Sequence, residues 1–321
     1  MIRSRHLFRA AALVVVAVLA SACGSALQPI DPAPVSDAAW PMPADVGGPD
    51  ASAGGSTDDS CDPTASLSPA GASTSSPSVA KIKARGKLIA GVDQTTYLFG
   101  FRNPKTGNLE GFDIDMVNQI AAAIFGTAEG RVQYRAIASS QREQVLKNHQ
   151  VDVVVRTYSI TCARLKEVAF STVYYVAGQK ILVPKASNAE SLSDLKGKRV
   201  CATKQSTSLA KIATDPAHPI AVSVDNWSDC LIMLQQHQVD AVSTDDTILA
   251  GMAAQDPTVK VAGDPMTTEN YGIGMPKDEP DLVRYVNSVL DTIRGGAWQT
   301  SYQKWVGARL GPASPPPPKY K

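Results

Sequence analysis

The chain predicts an α/β architecture divided into two lobes, preceded by an unstructured tether. Three features carry that prediction. Strand and helix patterns alternate from Lys87 to about Gly307, as in α/β proteins rather than in folds with segregated elements. The alternation falls into two cycles of similar layout, each with a strand, a helix and a strand bearing a Val-Asp pair. A long extended stretch, Val173–Val183, closed by Pro184, separates the cycles. Two lobes account for that break better than one sheet.

At the N-terminus, Arg3, Arg5 and Arg9 precede eleven unbroken apolar residues, Ala10 to Ala20. Crossing a bilayer core as a helix takes roughly 20 apolar residues, so this run reads as a secretory signal over 1–22. Leu19-Ala20-Ser21-Ala22-Cys23 resembles a bacterial lipoprotein cleavage site, at which Cys23 is lipidated. Ordinary signal cleavage beside an unrelated cysteine is the alternative. Residues 24–80 hold nine Pro, seven Asp and no Lys or Arg. That composition buries too little apolar surface to fold. Segment 23–80 is therefore expected to be a disordered linker, spanning about 40 Å root-mean-square.

In the first cycle, Lys87–Val92 reads as a strand, and Phe112–Phe125 as a helix with Ile114, Val117, Ile120, Ala121 and Ile124 on one face. Val132–Ile137 is a strand, Ser140 caps a helix to Asn148, and Val151–Val155 is a buried parallel strand. The second cycle runs through a strand at Arg199–Thr203, a helix from about Thr207, a strand at Ala221–Val224 and a helix from Ser228 to about Gln236. Asp240–Ser243 is a strand, a helix starts near Asp246, and Val259–Val261 is a short strand. Tyr271–Met275 is one more strand, and Pro280 at the first helical position opens a helix through Ile293. A last helix holds Trp298, Tyr302 and Trp305, and Gly311–Lys321 is a Pro-rich extended tail.

Composition excludes several classes. Removing residues 1–22, with three Arg and no acid, takes the formal charge from +1 to −2, which gives no support for nucleic-acid binding. Neither CxxC nor HxxxH spacing occurs, so no metal or cofactor is expected. With Cys23 lipidated, four cysteines remain for an oxidising compartment. Cys201 and Cys230 share one contiguous lobe-like segment, which favours their pairing. Cys61–Cys162 is then the second bridge, unless Cys61 stays free.

Against that background, a series of segments resembles the extracellular solute-binding proteins for polar amino acids that serve ABC importers. They are Gly111-Phe112-Asp113-Ile114-Asp115, Gln150-Val151-Asp152-Val153-Val154, Ser159-Ile160-Thr161 with Arg164, Phe170-Ser171 with Tyr174-Tyr175, Asp194-Leu195-Lys196-Gly197-Lys198, Val239-Asp240-Ala241-Val242 with Asp245, Tyr271-Gly272-Ile273, and Lys304-Trp305-Val306-Gly307. The likeness is strongest to actinobacterial glutamate/glutamine-binding lipoproteins, including Cys201 and its partner in Trp227-Ser228-Asp229-Cys230. It implies a type II two-lobed clamp, with lobe 1 over 81–178 plus 272–310, lobe 2 over 180–268, and hinge strands near Val176–Val183 and Met266–Gly272. It also implies a monomer whose partner is an ABC permease or a membrane sensor protein, held to the membrane through the lipid anchor.

The resemblance assigns the ligand chemistry as well. Arg164 is the candidate cation for the α-carboxylate, since guanidinium gives a bidentate fork; the alternative is a solvated helix arginine like Arg142. Thr157 and Ser159 supply hydroxyl or backbone groups. Asp245 is the candidate ammonium partner with Asp246 capping the next helix, and Thr244 is a weaker candidate. Lys204, Ser206 and Thr207 occupy a strand-to-helix turn suited to an anion, although Ser206 stands where the family usually has Gly. Lys204, Arg156 and Arg102 are candidates for a second carboxylate, which favours glutamate, aspartate or their amides. Tyr97, Phe99 and Phe101 are candidates either for stacking on the ligand or for core packing. A sensor using the same clamp is the competing function. An enzyme is less favoured, because no nucleophile elbow or His-containing triad is recognisable.

Overall fold

Buried strand residues build two five-stranded sheets in the computed structural model, which describes residues 41–43, 46–48 and 61–321. The signal segment and Cys23 lie outside the described residues. In lobe 1, β1 (Leu88–Val92) lies between β5 (Val132–Ala136) and β6 (Val153–Val154), parallel to both. An antiparallel β15 (Gly274–Met275) joins β6 to β7 (Ala169–Phe170). In lobe 2, β10 (Arg199–Thr203) lies between β11 (Ile220–Val224) and β12 (Ala241–Asp245), again parallel to both. There β9 (Gln179–Pro184) runs antiparallel between β12 and β13 (Val259–Ala262).

The lobes are joined where β8 (Tyr175–Ala177) pairs antiparallel with β14 (Glu269–Tyr271). These are the two crossing strands of a hinged clamp. The expected strand Tyr271–Met275 is consequently two strands, because the chain leaves the hinge and enters the lobe-1 sheet within it. Gly272 permits that passage: a Cβ there would lie 2.7 Å from Ile160 Cδ1.

Helices cover both sheets. Helix α1 (Pro77–Arg85) and α2 (Phe112–Phe125) pack on lobe 1, and α2 buries all five of the apolar positions expected of it. Gly111 caps α2 at φ 130°, where a side chain would strike the Phe99 carbonyl 2.2 Å away. A 3-10 turn over Ser139–Gln141 leads into α3 (Arg142–Lys147), so Ser140 lies inside the turn and makes no side-chain cap. Cys162 opens α4 (Cys162–Glu167), whose cap Thr161 accepts from Arg164 N at 3.2 Å. In lobe 2, α5 (Thr207–Thr214), α6 (Trp227–Gln235) and α7 (Asp246–Gln255) follow β10, β11 and β12. Both disulfides are formed: Cys201–Cys230 ties β10 to α6, and Cys61–Cys162 ties the upstream chain to α4. Helix α8 (Pro280–Arg294) and α9 (Ala297–Tyr302) return to lobe 1.

One expectation for the terminal segments is corrected. From Cys61 the chain is ordered on lobe 1 rather than a free linker, and Ser66 Oγ donates to Phe170 O at 2.7 Å. The Pro-rich tail is extended but not free. Lys319 O accepts from Ser66 N (3.0 Å), Lys321 N donates to Ser66 O (2.9 Å), and Arg294 Nε donates to Pro316 O (2.9 Å). Few apolar residues are needed for this order, since a disulfide and backbone hydrogen bonds supply the restraint.

Asp113 in α2 is fully buried, accepting from Tyr174 OH (2.7 Å) and from Thr157 N (2.9 Å). Burial pushes its carboxyl up to about 7, against the lowering effect of those two hydrogen bonds. The folded state thus holds a proton that the unfolded chain releases near pH 4. Asp113's contribution to stability is greatest below about pH 4 and is lost as pH rises towards 7. Denaturation of wild type and Asp113→Asn between pH 4 and 7 should show the wild type losing stability relative to the variant. A constant difference would exclude this titration.

Candidate functional site

The polar residues that converge between the lobes sit just past the carboxyl ends of parallel strands, the usual ligand position in open α/β sheets. Asp93 follows β1, Ser139 and Arg142 follow β5, Arg156 to Ser159 follow β6, Gln205 follows β10, and Asp245 ends β12. Among the described residues, no group of three or more His, Cys, Asp or Glu is placed to hold a metal ion.

Arg164 is 4% exposed and lies 5.0 Å above the Tyr158 ring. Its Nη1 donates to Ser159 O (2.7 Å), its Nη2 to Gln205 O (3.0 Å), and its Nε lies 3.3 Å from Glu143 Oε1. Arg142 is equally buried, 4.4 Å from the same ring, and donates to Ser139 O (2.9 Å) and to Gln205 O (3.3 Å). It is not the solvated helix residue that the sequence suggested. Burial first, and the neighbouring Arg164 charge second, push its guanidinium down to about 9. One lobe-2 carbonyl thus accepts from two lobe-1 guanidinium groups. Gln205 presents it from a left-handed conformation, φ 54°, a strained geometry for a residue with a side chain.

Ser206, where the family's glycine was missed, has an ordinary φ of −89° and caps α5 by accepting from Leu209 N at 3.0 Å. The strain sits one residue earlier, so no glycine is needed at Ser206. Thr157 is likewise left-handed, φ 40°, held by Asp113.

Arg156 is fully buried, with Nη2 2.8 Å from Asp93 Oδ2, Nη1 donating to Ser139 Oγ (2.6 Å) and Nε to Ile137 O (2.8 Å). Ser139 Oγ also meets Thr203 Oγ1 of lobe 2 at 3.0 Å. A polar cavity of about 320 Å3 opens beside this pair, lined by Asp93, Gln94, Ile137 and Ser140 of lobe 1 and Asp225 and Asn226 of lobe 2.

On lobe 2, Asp245 is buried, hydrogen bonded by Tyr271 OH through one oxygen while Oδ1 has no protein partner. Burial, and next the neighbouring Glu269, hold its carboxyl well above the usual carboxylate range. Asp245 itself stands at the cap position of α7 without a side-chain cap bond, and Asp246 is the first helical residue, against the expectation that Asp246 caps.

Other candidates have partners outside the Arg142–Arg164 cluster, although Asp225, the partner of Lys204, lines the polar cavity. Lys204 Nζ is 3.1 Å from Asp225 Oδ1. Thr207 Oγ1 donates to Glu269 (3.0 Å), and Thr244 Oγ1 meets Ser208 Oγ (3.0 Å) inside lobe 2. Arg102 is exposed at the end of β3 (Gly100–Arg102), which pairs antiparallel with β2 (Thr95–Thr96) and, through a hairpin, with β4 (Leu109–Glu110); it donates to Gly107 O (2.7 Å) and does not join the cluster. Phe99 packs in the core against Phe112 and Tyr175, whereas Phe101 contacts Tyr97 and Trp305.

Sequence reasoning missed Arg142, Tyr158, Ser139 and Gln205. The signal for them was position: each follows a parallel strand's carboxyl end. It also missed the contact of Gly251 in α7 with the Tyr97 loop of lobe 1, where a Cβ would lie 2.4 Å from Tyr97 O. Gly251→Ala should therefore weaken binding of any ligand held between the lobes at least about tenfold by obstructing lobe contact, while α7 gains roughly 1 kcal/mol of helix propensity. Calorimetry and thermal melting read the two effects separately; unchanged affinity would show that the lobes do not need this approach.

Residues 88–308 match the family model of the bacterial extracellular solute-binding proteins, family 3. The chain is 38% identical over 230 residues to the ABC transporter glutamine-binding protein GlnH of Bacillus subtilis, covering 71% of this chain and 84% of that protein. It is 30% identical over 237 residues to the glutamate-binding protein GluB of Corynebacterium efficiens, covering 70% and 79%. Among solved structures, an ancestral arginine-binding protein bound to glutamine is similar with a TM-score of 0.65 at 33% identity, covering 70% of this chain and 99% of that one.

Proposed function

The chain belongs to the bacterial extracellular solute-binding proteins of family 3, and on that footing we propose that it is a lipid-anchored receptor for glutamate, aspartate or their amides. The ligand sits between the lobes and passes to an ABC importer. Amino-acid binding for import is what the similar glutamine- and glutamate-binding proteins are named for. The anchor rests on Cys23 and the signal before it.

The observation that carries the acidic preference is the charge balance of the cleft wall. Arg142, Arg156 and Arg164 are buried together, against Asp93 and Glu143 as their nearest acids. A buried charge without a partner is costly, so this wall favours a ligand that brings carboxylate. Arg164 is the proposed α-carboxylate partner, taking in the ligand's oxygen where Gln205 O now accepts. Asp245 receives the ammonium at Oδ1, and the Arg156–Asp93 pair faces the side-chain end beside the polar cavity. Ser159 and Thr157 position that wall through their backbone. A bound ammonium would stabilise the ionised form of Asp245, which burial otherwise disfavours.

Calorimetry of the secreted chain against the twenty amino acids tests the reading. Binding of glutamate or aspartate is expected to be tightest, with lysine and arginine weakest. Arg164→Ala should lose at least about 3 kcal/mol of binding, as when one partner of a buried pair is removed. Arg102→Ala should bind normally, since Arg102 is exposed on the hairpin. Preference for a basic ligand, or normal affinity in Arg164→Ala, would refute the assignment.

A further inference from the structure

The helix that carries Arg164 has six residues, Cys162–Glu167, and helices shorter than about 12 residues are marginal in water on their own. Backbone pairing fixes the chain on either side of it. Upstream, Ile160 N donates to Asn270 O (2.8 Å) and Gly272 N to Tyr158 O (3.0 Å); downstream, Ala169 and Phe170 form β7. Between those points the first turn rests on the Thr161 cap, through Arg164 N, and on the bond from Cys162 to Cys61. Cys61 is itself held by a strip lying on lobe 1. Asp62 pairs with Lys319, Ser66 Oγ donates to Phe170 O (2.7 Å), and Asn287 Nδ2 donates to Ser66 Oγ (2.9 Å) and to Leu67 O (2.7 Å). The bond thus joins the arginine's helix to a second anchorage on the same lobe. The two disulfides also differ in access. Cys201 and Cys230 are both fully buried, whereas Cys162 is 7% exposed and Cys61 only partly buried.

We propose that the Cys61–Cys162 disulfide is a redox-sensitive positioning element for Arg164, so that a dithiol reductant lowers ligand affinity while both lobes stay folded. A thiolate of the reductant attacks the sulfur of Cys61, the more exposed of the pair, and Cys162 leaves as a thiolate that takes up a proton. The reductant's second thiolate then displaces Cys61 from the mixed disulfide, closing the reductant's own disulfide as Cys61 takes up a proton. The protein's disulfide is reduced to a pair of thiols and the dithiol is oxidised. The first turn of α4 is left with the Thr161 cap alone, and a short helix so held frays. Arg164 reaches Ser159 O (2.7 Å) and Gln205 O (3.0 Å) only from where that turn places it. A displacement of about 1 Å is enough to spoil its fork for a carboxylate. The strip around Ser66 stays in place, because none of its hydrogen bonds passes through the sulfurs. This inference rests on the reading of Arg164 as the carboxylate partner and adds to it a control by redox conditions.

Dithiothreitol added to the native secreted chain tests the proposal. Alkylation and mass mapping should find Cys61 and Cys162 as thiols while Cys201–Cys230 stays intact. By hydrogen exchange, the amides of Leu165 and Val168, bonded to Thr161 O and Arg164 O, should lose protection, and the Ser66 amide, bonded to Lys319 O, should keep its own. Calorimetry with L-glutamate or L-glutamine, whichever binds, should show affinity about tenfold weaker after reduction and restored on reoxidation, a fall of about 1.4 kcal/mol. Cys61→Ser/Cys162→Ser should bind as weakly as the reduced protein and no longer respond to dithiothreitol. The proposal is overturned if Cys201–Cys230 opens as readily, if the α4 amides stay protected after reduction, or if affinity is indifferent to it. Where α4 loosens and affinity holds, Arg164→Ala separates the causes: weakened binding in that variant refutes the positioning claim alone, and normal binding refutes the reading of Arg164 as well. Failure of both amino acids to bind would count against the ligand assignment, and the exchange comparison would still decide whether the disulfide positions α4.

Discussion

Two guanidinium groups of one lobe, Arg142 and Arg164, share the Tyr158 ring and meet on a single carbonyl of the other lobe, that of Gln205. The remaining features of the cleft follow from this constraint. Charges nine-tenths buried must be paired or hydrogen bonded, and lobe 1 offers Arg164 the Ser159 carbonyl, Glu143 and the face of the Tyr158 ring. The pairing is completed from across the cleft. A clamp in which Arg142 and Arg164 complete their hydrogen bonding on the opposite lobe, or on a carboxylate between the lobes, has a physical reason to close on an anionic ligand.

The supports of that wall are as specific as the wall itself. Asp113, on the lobe-1 helix, fixes the left-handed Thr157 through its backbone N–H, and so sets the path of the segment from Arg156 to Ser159. Thr161 caps the helix that carries Arg164, and the disulfide at Cys162 holds that helix's first turn. On the other side, Gln205 accepts backbone strain so that its carbonyl faces lobe 1. Backbone strain at ligand sites is stored where the surrounding structure dictates it. Here Thr203 and Ser206 frame Gln205, through the Ser206 Oγ to Thr203 O bond of 2.7 Å.

Much of the fold was legible because its signals are local and periodic. The apolar face of Phe112–Phe125, the strand at Arg199–Thr203 and Pro280 opening a helix all declare themselves within a dozen residues. The break inside Tyr271–Met275 did not, since it depends on which sheet each half joins. The order of residues 61–80 and of the C-terminal tail was hidden as well, because composition reports apolar content and not a disulfide or a backbone zipper. In the cleft, residue type and motif singled out Arg164 and Asp245. Arg142 was invisible by type, as its burial comes from α3 packing beside Tyr158. Arg102 was plausible by type, yet its strand places it on the exposed side of the hairpin.

A crystal structure of the secreted chain with L-glutamate tests the central claim most directly. The account predicts a ligand carboxylate on the Arg164 guanidinium, its ammonium on Asp245 Oδ1, and both lobes in contact with the ligand. A structure with glutamate bound elsewhere, and Gln205 O still accepting from both arginines, would contradict it.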